Sequence, residues 1–415
     1  MRWSVIVVAS FVQPLLAGVL DLPQWMQLGG EVRVRYEGFS GNGFRPDSSD
    51  DHLLTRLRLN LLITPNSHLQ FVVQGQDARV FGTNQLPVPT SYQDKVDLRL
   101  GYVELGNAET GPVSVRAGRQ ELNFGEQRMI GYNGWRNTAQ SFDAVRLILR
   151  RGAVRLDVFA SGPVQIQDRF NRVVPGNNLH GAYGRIGRRA HMVEPYLLWR
   201  LSPSWRVEAG GFGRLNVWYP GAHAFGKVGE RLDYDTEVAF EAGHSGPDRI
   251  RAWAGHWRSG YTVGRMHWLG EYNHASGDRN PKDQLQGGFT APYPSNHDRY
   301  GLADQVGWKN MHHVRTGAEV TVRRHWALIF NVHQYWLASA ADGLFSPSNT
   351  QLARVERGAR SRHVGWEPDI SGQWTPVGAV QVGAGFARLV PGAFLREATP
   401  GVGYNYGYCF AGYRF

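Results

Sequence analysis

The chain has 415 residues and a formal net charge of +10, with 51 glycines, 14 tryptophans, 17 tyrosines, 19 phenylalanines and one cysteine, Cys409. Beyond the N-terminus no apolar run reaches the ~18 residues of a membrane-spanning helix, and a lone cysteine leaves no disulfide framework and no paired-cysteine metal or redox site. Arginine is spread along the whole chain instead of gathering on one face, which argues against a nucleic-acid surface.

In chain order, residues 1–20 (MRWSVIVVASFVQPLLAGVL) have the layout of a secretory signal peptide: Arg2, an apolar run from Trp3 to Val12, Gln13-Pro14, then Ala17-Gly18. Leu15 stands where a small residue is expected before cleavage, and the absence of a cysteine there argues against a lipid-anchored lipoprotein. Residues 21–415 read as one domain, because no linker, charge block or low-complexity stretch divides them.

The first strand signal is GEVRVRYEGF, residues 30–39. Val32, Val34 and Tyr36 alternate with Arg33, Arg35 and Glu37, the period of an extended chain with two different surroundings. The pattern recurs at 53–63, where Leu53, Leu57, Leu59, Leu61 and Ile63 oppose Arg56, Arg58 and Asn60. At 95–105 Val96, Leu98, Leu100 and Tyr102 oppose Asp97 and Arg99; at 153–160 Val154, Leu156 and Val158 oppose Arg155 and Asp157. At 231–241 Leu232, Tyr234, Val238 and Phe240 oppose Asp233, Asp235, Glu237 and Glu241.

The connections are of two kinds. Tight ones are expected at Thr64–Ser67, Arg150–Gly152, Ser202-Pro203-Ser204, Arg323–His325 and Thr375–Gly378, and long ones near 80–94, 122–140, 163–180, 276–309, 339–361 and 391–401. Short turns at one end and long loops at the other describe an all-β, transmembrane antiparallel β-barrel with short periplasmic turns and long extracellular loops. Mean hydropathy is −0.38, which suits such a barrel because only alternate strand residues need be apolar. The length supports roughly 16–18 strands, with 18 favoured, although 180–265 does not divide cleanly between the two kinds of connection. The last residues, YNYGYCFAGYRF, end a strand in Phe with Tyr413, Ala411 and Cys409 on its face; this resembles the C-terminal assembly signal of bacterial outer-membrane proteins. Val32, Val34 and Tyr36 are then expected to face lipid, and Arg33, Arg35 and Glu37 the lumen.

No nucleophile, zinc or phosphate-loop motif is present, so no catalytic residue, cofactor or metal is expected. His312-His313 occupies adjacent strand positions with the rings on opposite faces, and Gly243–Gly246 has turn spacing. A plug domain has no room, since the first strand begins by about residue 27. What remains is the lumen, where parity places Arg33, Arg35, Arg56, Arg58, Arg99, Arg116, Arg146 and Arg155. Fixed guanidinium charge in a narrow channel favours anions, and the excess of Arg over Lys suits carboxylate or phosphate solutes. The competing structural reading pairs these arginines with inward acids (Asp97, Asp157, Asp233, Asp235, Glu237) in a ladder that stiffens the wall.

One segment goes beyond architecture. Gly118-Arg119-Gln120-Glu121, Gly125, Arg128, Gly131, Trp135, Asn137, Phe142-Asp143 and Arg146 resemble the alginate export family of outer-membrane barrels. Ser276-Gly277-Asp278, Tyr293–His297, Tyr300-Gly301 and Asp304 agree. The resemblance implies a monomeric barrel whose arginine-lined lumen passes an anionic uronate polymer outward without nucleotide or metal. It also implies that Arg119, Glu121, Arg128 and Asp143 lie at an internal constriction on a strand–loop–strand. Parity sets Arg119 and Glu121 on the apolar side of Val115 and Ala117, so they need a bulge, a salt bridge or a place beyond the hydrocarbon. No periplasmic turn is long enough to suggest a gate there. The expected function is an outer-membrane channel for diffusion or export of anionic solutes, with a uronate-type polysaccharide such as alginate as the expected solute, through an arginine-lined lumen. The alternatives are a general anion or sugar uptake porin, a barrel enzyme acting on lipid or polysaccharide, and an assembly or adhesion barrel working through its loops. The partners implied are an anionic polysaccharide or small anionic solute, outer-membrane lipid and periplasmic secretion components, with no nucleic acid.

Overall fold

The period-two pattern runs through eighteen antiparallel strands that close on themselves in the computed structural model. The structure describes residues 22–415 apart from 189, 296, 324 and 377; the signal-peptide segment lies outside the described residues. β1 spans Met26–Ser40, β2 Ser49–Asn66, β3 Leu69–Phe81, β4 Asp94–Gly106, β5 Val113–Gln120 and β6 Phe142–Arg151. β7 spans Val154–Gln165, β8 Asn178–Arg188, β9 His191–Arg206, β10 Phe212–Val228, β11 Leu232–Ser245 and β12 Asp248–Val263. β13 spans Met266–Ala275, β14 Met311–Arg323, β15 Trp326–Trp336, β16 His363–Trp374, β17 Val380–Pro391 and β18 Tyr404–Arg414.

Each strand pairs with its neighbour in sequence, and β18 returns to β1 with Tyr36 opposite Cys409 and Val32 opposite Tyr413. Closure leaves no free edge in the ladder. The terminal Phe415 is held in it: its N–H donates to the Gly30 carbonyl (3.1 Å), and the Gly30 N–H donates back (2.8 Å).

Burial is inverted relative to a soluble sheet. Val32, Val34 and Tyr36 are 41%, 42% and 45% exposed, whereas Arg35 and Glu37 are 2% and 5% exposed. The apolar side therefore faces lipid and the charged side the lumen. The buried apolar cluster lies within the barrel, where Phe124, Met129 and Ile130 meet Tyr300, Leu302 and Trp308 against the wall tyrosines Tyr183, Tyr196, Tyr219 and Tyr335. Those residues belong to the connections 121–141 and 276–310, which turn back into the lumen.

Two strand expectations are corrected. Ser202-Pro203-Ser204 is not a turn; it lies inside β9, where the register against β10 shifts between Ser202 and Trp205. A bulge tolerates a proline that has no N–H to give the ladder. The periplasmic connection falls earlier, at 189–190. The extracellular connections at 207–211 and 246–247 are as short as periplasmic ones, so the length rule that orders the rest of the chain fails over 180–265. The second correction concerns β4, where the register with β3 shifts between Gln74 and Gly75. Leu98 stays outward, but Tyr102 joins the lumen with the Arg116 guanidinium 4.5 Å above its ring.

Candidate functional site

The lumen wall from β1 to β7 carries the eight expected arginines, and each has a partner. Arg35 pairs with Glu37 at 2.7 Å, and Arg56 pairs with Glu31. Arg99 pairs with Glu121 and bonds Gln74; Arg116 Nε donates to Glu104 at 2.8 Å. Arg146 and Arg155 share the single carboxylate of Asp157, at 2.7 and 2.8 Å. Arg33 and Arg58 have no carboxylate partner among the described residues: Arg33 bonds backbone carbonyls and Asn137, and Arg58 Nε donates to the amide oxygen of Gln76 (2.8 Å). Arg33 Nε, Arg58 Nη2 and Arg99 Nε are buried without any described acceptor.

Three of these arginines hold a loop. Arg33 and Arg56 donate to the Gly134 carbonyl (3.3 and 3.2 Å), Arg33 and Arg35 to that of Trp135 (3.2 and 2.5 Å), and Arg56 to that of Arg136 (3.2 Å). The Asn137 amide donates to the Thr55 and Tyr92 carbonyls. Segment 121–141 is thereby fixed to the inner side of β1–β3. From there it crosses the lumen: Arg128 reaches Tyr300 Oη and His256 Nε2, both at 3.1 Å, with Glu271 at 3.5 Å.

Segment 276–310 meets it halfway. Gly131 N–H donates to the Tyr293 carbonyl, Tyr293 N–H to that of Met129 and Ser295 N–H to that of Gln127. The Trp135 indole stacks on His297 at 4.0 Å with an interplanar angle of 5°, lies 4.0 Å from the Arg35 guanidinium, and meets Tyr408 and Phe410 edge-on. Burial pulls the His297 imidazole down, but Asp304 at 2.6 Å outweighs it and holds His297 above its ordinary range. Two glycines of the family-like pattern explain themselves here. Gly125 (φ +53°) and Gly301 (φ +112°) lie where a Cβ would stand 2.7 Å from Tyr183 Oη and 2.3 Å from Tyr335 Oη.

The four residues carried over to a constriction divide. Glu121 and Arg128 are inside. Arg119 and Asp143 are not: no extra residue intervenes between Val115 and Arg119, so alternation carries Arg119 to the outer face, where it pairs with Asp143 across β5–β6 at 2.8 Å. The Asn171 carbonyl accepts from Arg119 at 2.9 Å, so connection 166–177 covers the pair at the extracellular rim.

Of the opposite wall, sequence reading set Asp235 inward with the other acids of β11 but missed the belt it joins. Glu194, His223, Asp235, His256, Asn273, His313, His333 and Asp369 form one hydrogen-bonded belt across β9–β16, with successive contacts between 2.7 and 3.3 Å. Parity marks each as inward, but only the register brings them to one level. His312, by contrast, faces outward against Tyr272 Oη at 2.7 Å.

At the extracellular mouth a cleft of about 430 Å³ opens between 41–48, 351–356 and 398–400, flanked by Arg45 and Arg354. At the β9–β10 connection, on the other side of the barrel, burial and the adjacent Asp278 carboxylate push Glu208 up to about 7. Because the folded carboxyl binds its proton more tightly than an unfolded one, the contact is strongest at low pH and weakens as pH rises from the ordinary carboxylate range through about 7. Connection 207–211 should therefore lose hydrogen-exchange protection as pH rises through about 7, and Glu208→Gln should abolish that dependence; the Gln284 N–H, which donates to Glu208 Oε2 at 2.7 Å, favours the ionised carboxyl and works against the loss.

Ser67 Oγ lies 2.9 Å from His68 Nδ1. The two are consecutive and exposed in a periplasmic turn, with no acid orienting the imidazole among the described residues, which is what would activate a nucleophile.

The chain matches the family model described as "Alginate export" over residues 24–408. No curated protein matches it. Among solved structures it is similar to Pseudomonas aeruginosa OccK11 (OpdR), with 11% identity, TM-score 0.64, and coverage of 94% of this chain and 96% of that one. It is also similar to P. aeruginosa OccK5 (OpdH), with 10% identity, TM-score 0.64 and coverage of 94% and 98%. OccK2 (OpdF) of the same organism, solved in complex with glucuronate, gives 9% identity, TM-score 0.64 and coverage of 94% and 98%. At these identities the likeness is one of fold. Together the matches make the molecule an outer-membrane channel.

Proposed function

The chain belongs to the alginate export family, and on that premise we propose that it conducts anionic solutes by diffusion, with a uronate polymer of the alginate type as its principal solute. The observation that carries this reading is the imbalance on the β1–β7 wall. Among the described residues Arg33 and Arg58 face inward without a carboxylate partner and Arg146 and Arg155 share one, so the eight arginines outnumber the carboxylates paired with them. A guanidinium fork matches a carboxylate in two parallel hydrogen bonds, and confinement between low-dielectric walls strengthens its pull on an anion. No cofactor or energy source enters the mechanism. The solute exchanges water for wall donors as it passes the two infolded segments.

A second reading, uptake of small acids, is favoured by one feature: segments 121–141 and 276–310 meet across the lumen, and a small solute needs less displacement of them than a polymer does. Single-channel recording under a salt gradient, with oligomannuronate, glucuronate and a neutral oligosaccharide of matched length, tests both. The expected result is an anion-selective reversal potential and block by oligomannuronate but not by the neutral oligomer. Block by glucuronate alone would transfer the case to small acids. No anion preference would overturn both.

A further inference from the structure

On the outer face of β10–β12, at the extracellular end, five polar side chains converge. Alternation turns Arg214 and Asn216 outward on β10, His244 on β11, and Arg249 and Arg251 on β12, all exposed. The register sets Asn216 opposite His244, His244 opposite Arg249, and Ala242 opposite Arg251. Directly opposed residues lie about 5 Å apart and diagonal ones about 7–8 Å, so Arg214, His244, Arg249 and Arg251 form one patch.

None of the three arginines makes an ion pair or side-chain hydrogen bond with a described residue. Elsewhere on that rim Arg79 pairs with Asp77 and Arg119 with Asp143, each at 2.8 Å. Asp283, on the segment that runs beside Arg249, instead accepts the Leu285 amide at 3.0 Å. Below the patch lie exposed aromatics: Trp218 on β10, Phe240 on β11 and Trp253 on β12, with Trp199 stacked on Trp218 at 4.9 Å. Such a belt marks the boundary between hydrocarbon and headgroups. The connections above, 207–211 and 246–247, are too short to fold over it.

We infer that this face is a binding site for the phosphorylated glucosamine headgroup of the outer-leaflet glycolipid, lipid A. Arg214, Arg249 and Arg251 hold its phosphate, and Trp218, Phe240 and Trp253 pack against its acyl chains. Three guanidinium groups that pair with no described acid at the headgroup level need an anion, and the outer leaflet supplies phosphate there. The aromatic belt beneath selects a phosphate that is attached to lipid. The site is independent of which solute the lumen passes.

The test uses the full chain extracted from outer membranes in mild detergent, with phosphorylated lipid A measured per barrel by mass spectrometry. Arg214→Gln/Arg249→Gln/Arg251→Gln should retain at least about fivefold less lipid A than the parent, and the corresponding triple Lys variant should fall between them, since lysine keeps the charge but not the fork. Rebinding to delipidated parent protein should favour phosphorylated over dephosphorylated lipid A. Equal retention by the parent and the Gln variant would overturn the inference. So would equal rebinding of the dephosphorylated lipid, or displacement of bound lipid A by inorganic phosphate alone. If the Gln variant does not fold, the rebinding comparison on the parent protein decides.

Discussion

Trp135→Ala should release the constriction, giving larger and noisier single-channel currents while leaving the barrel folded. The indole is where the two infolded segments meet: it stacks on His297, lies under Arg35, and contacts Tyr408 and Phe410. Trp135 is half-buried, so its truncation should cost the lower end of the about 3–5 kcal/mol of a fully buried tryptophan. Here that cost falls on the anchoring of segment 121–141 and not on the strand ladder, whose pairs do not involve residue 135. A loss of ~3 kcal/mol in one of two states shifts their ratio by roughly two orders of magnitude. A loop that is rarely released would then be released often. Trp135→Phe, which keeps an aromatic face toward His297, should restore most of the parent behaviour. Trp135→Ala channels indistinguishable from the parent in conductance and noise would show that the indole does not hold the constriction.

Much of this molecule is written in single strands. Alternation in GEVRVRYEGF already assigns Val32, Val34 and Tyr36 to lipid and Arg33 and Arg35 to the lumen, because each side chain's face depends only on its own position. The same rule places Arg119 outside, and the family resemblance that suggested an inner constriction for it gave way to that parity. What a strand cannot show is where a loop goes. Segment 121–141 turns inward because Arg33, Arg35 and Arg56 donate to the carbonyls of residues 134–136, far along the chain, and a carbonyl acceptor leaves no mark on the sequence. The histidine–carboxylate belt is hidden for a related reason. Its members sit one per strand, and only the register brings His223 to Asp235 or His313 to His333. The ambiguity over 180–265 has a simpler source: two extracellular connections there are short.

Neutralising Arg146 and Arg155 together should separate the two roles open to the lumen arginines. Asp157 is 4% exposed and has both guanidinium groups as its counter-charges, so Arg146→Gln/Arg155→Gln leaves it buried and unpaired. Breaking a buried pair in this way costs about 3–5 kcal/mol, and the denaturant midpoint of the barrel should fall accordingly. The Arg146 guanidinium, 5.0 Å above the Phe124 ring, is also lost, which loosens the start of segment 121–141. Adding Asp157→Asn removes the stranded charge and should recover most of the stability, since two neutral amides can bond each other. Selectivity should not recover with it. The triple variant still carries one positive charge fewer in the lumen than the parent, so its reversal potential under a salt gradient should remain displaced toward cations. If the arginines served only to brace the wall, the triple variant would regain stability and parent selectivity together. That result would leave Arg33 and Arg58, the two without carboxylate partners, as the remaining place to look for an anion path.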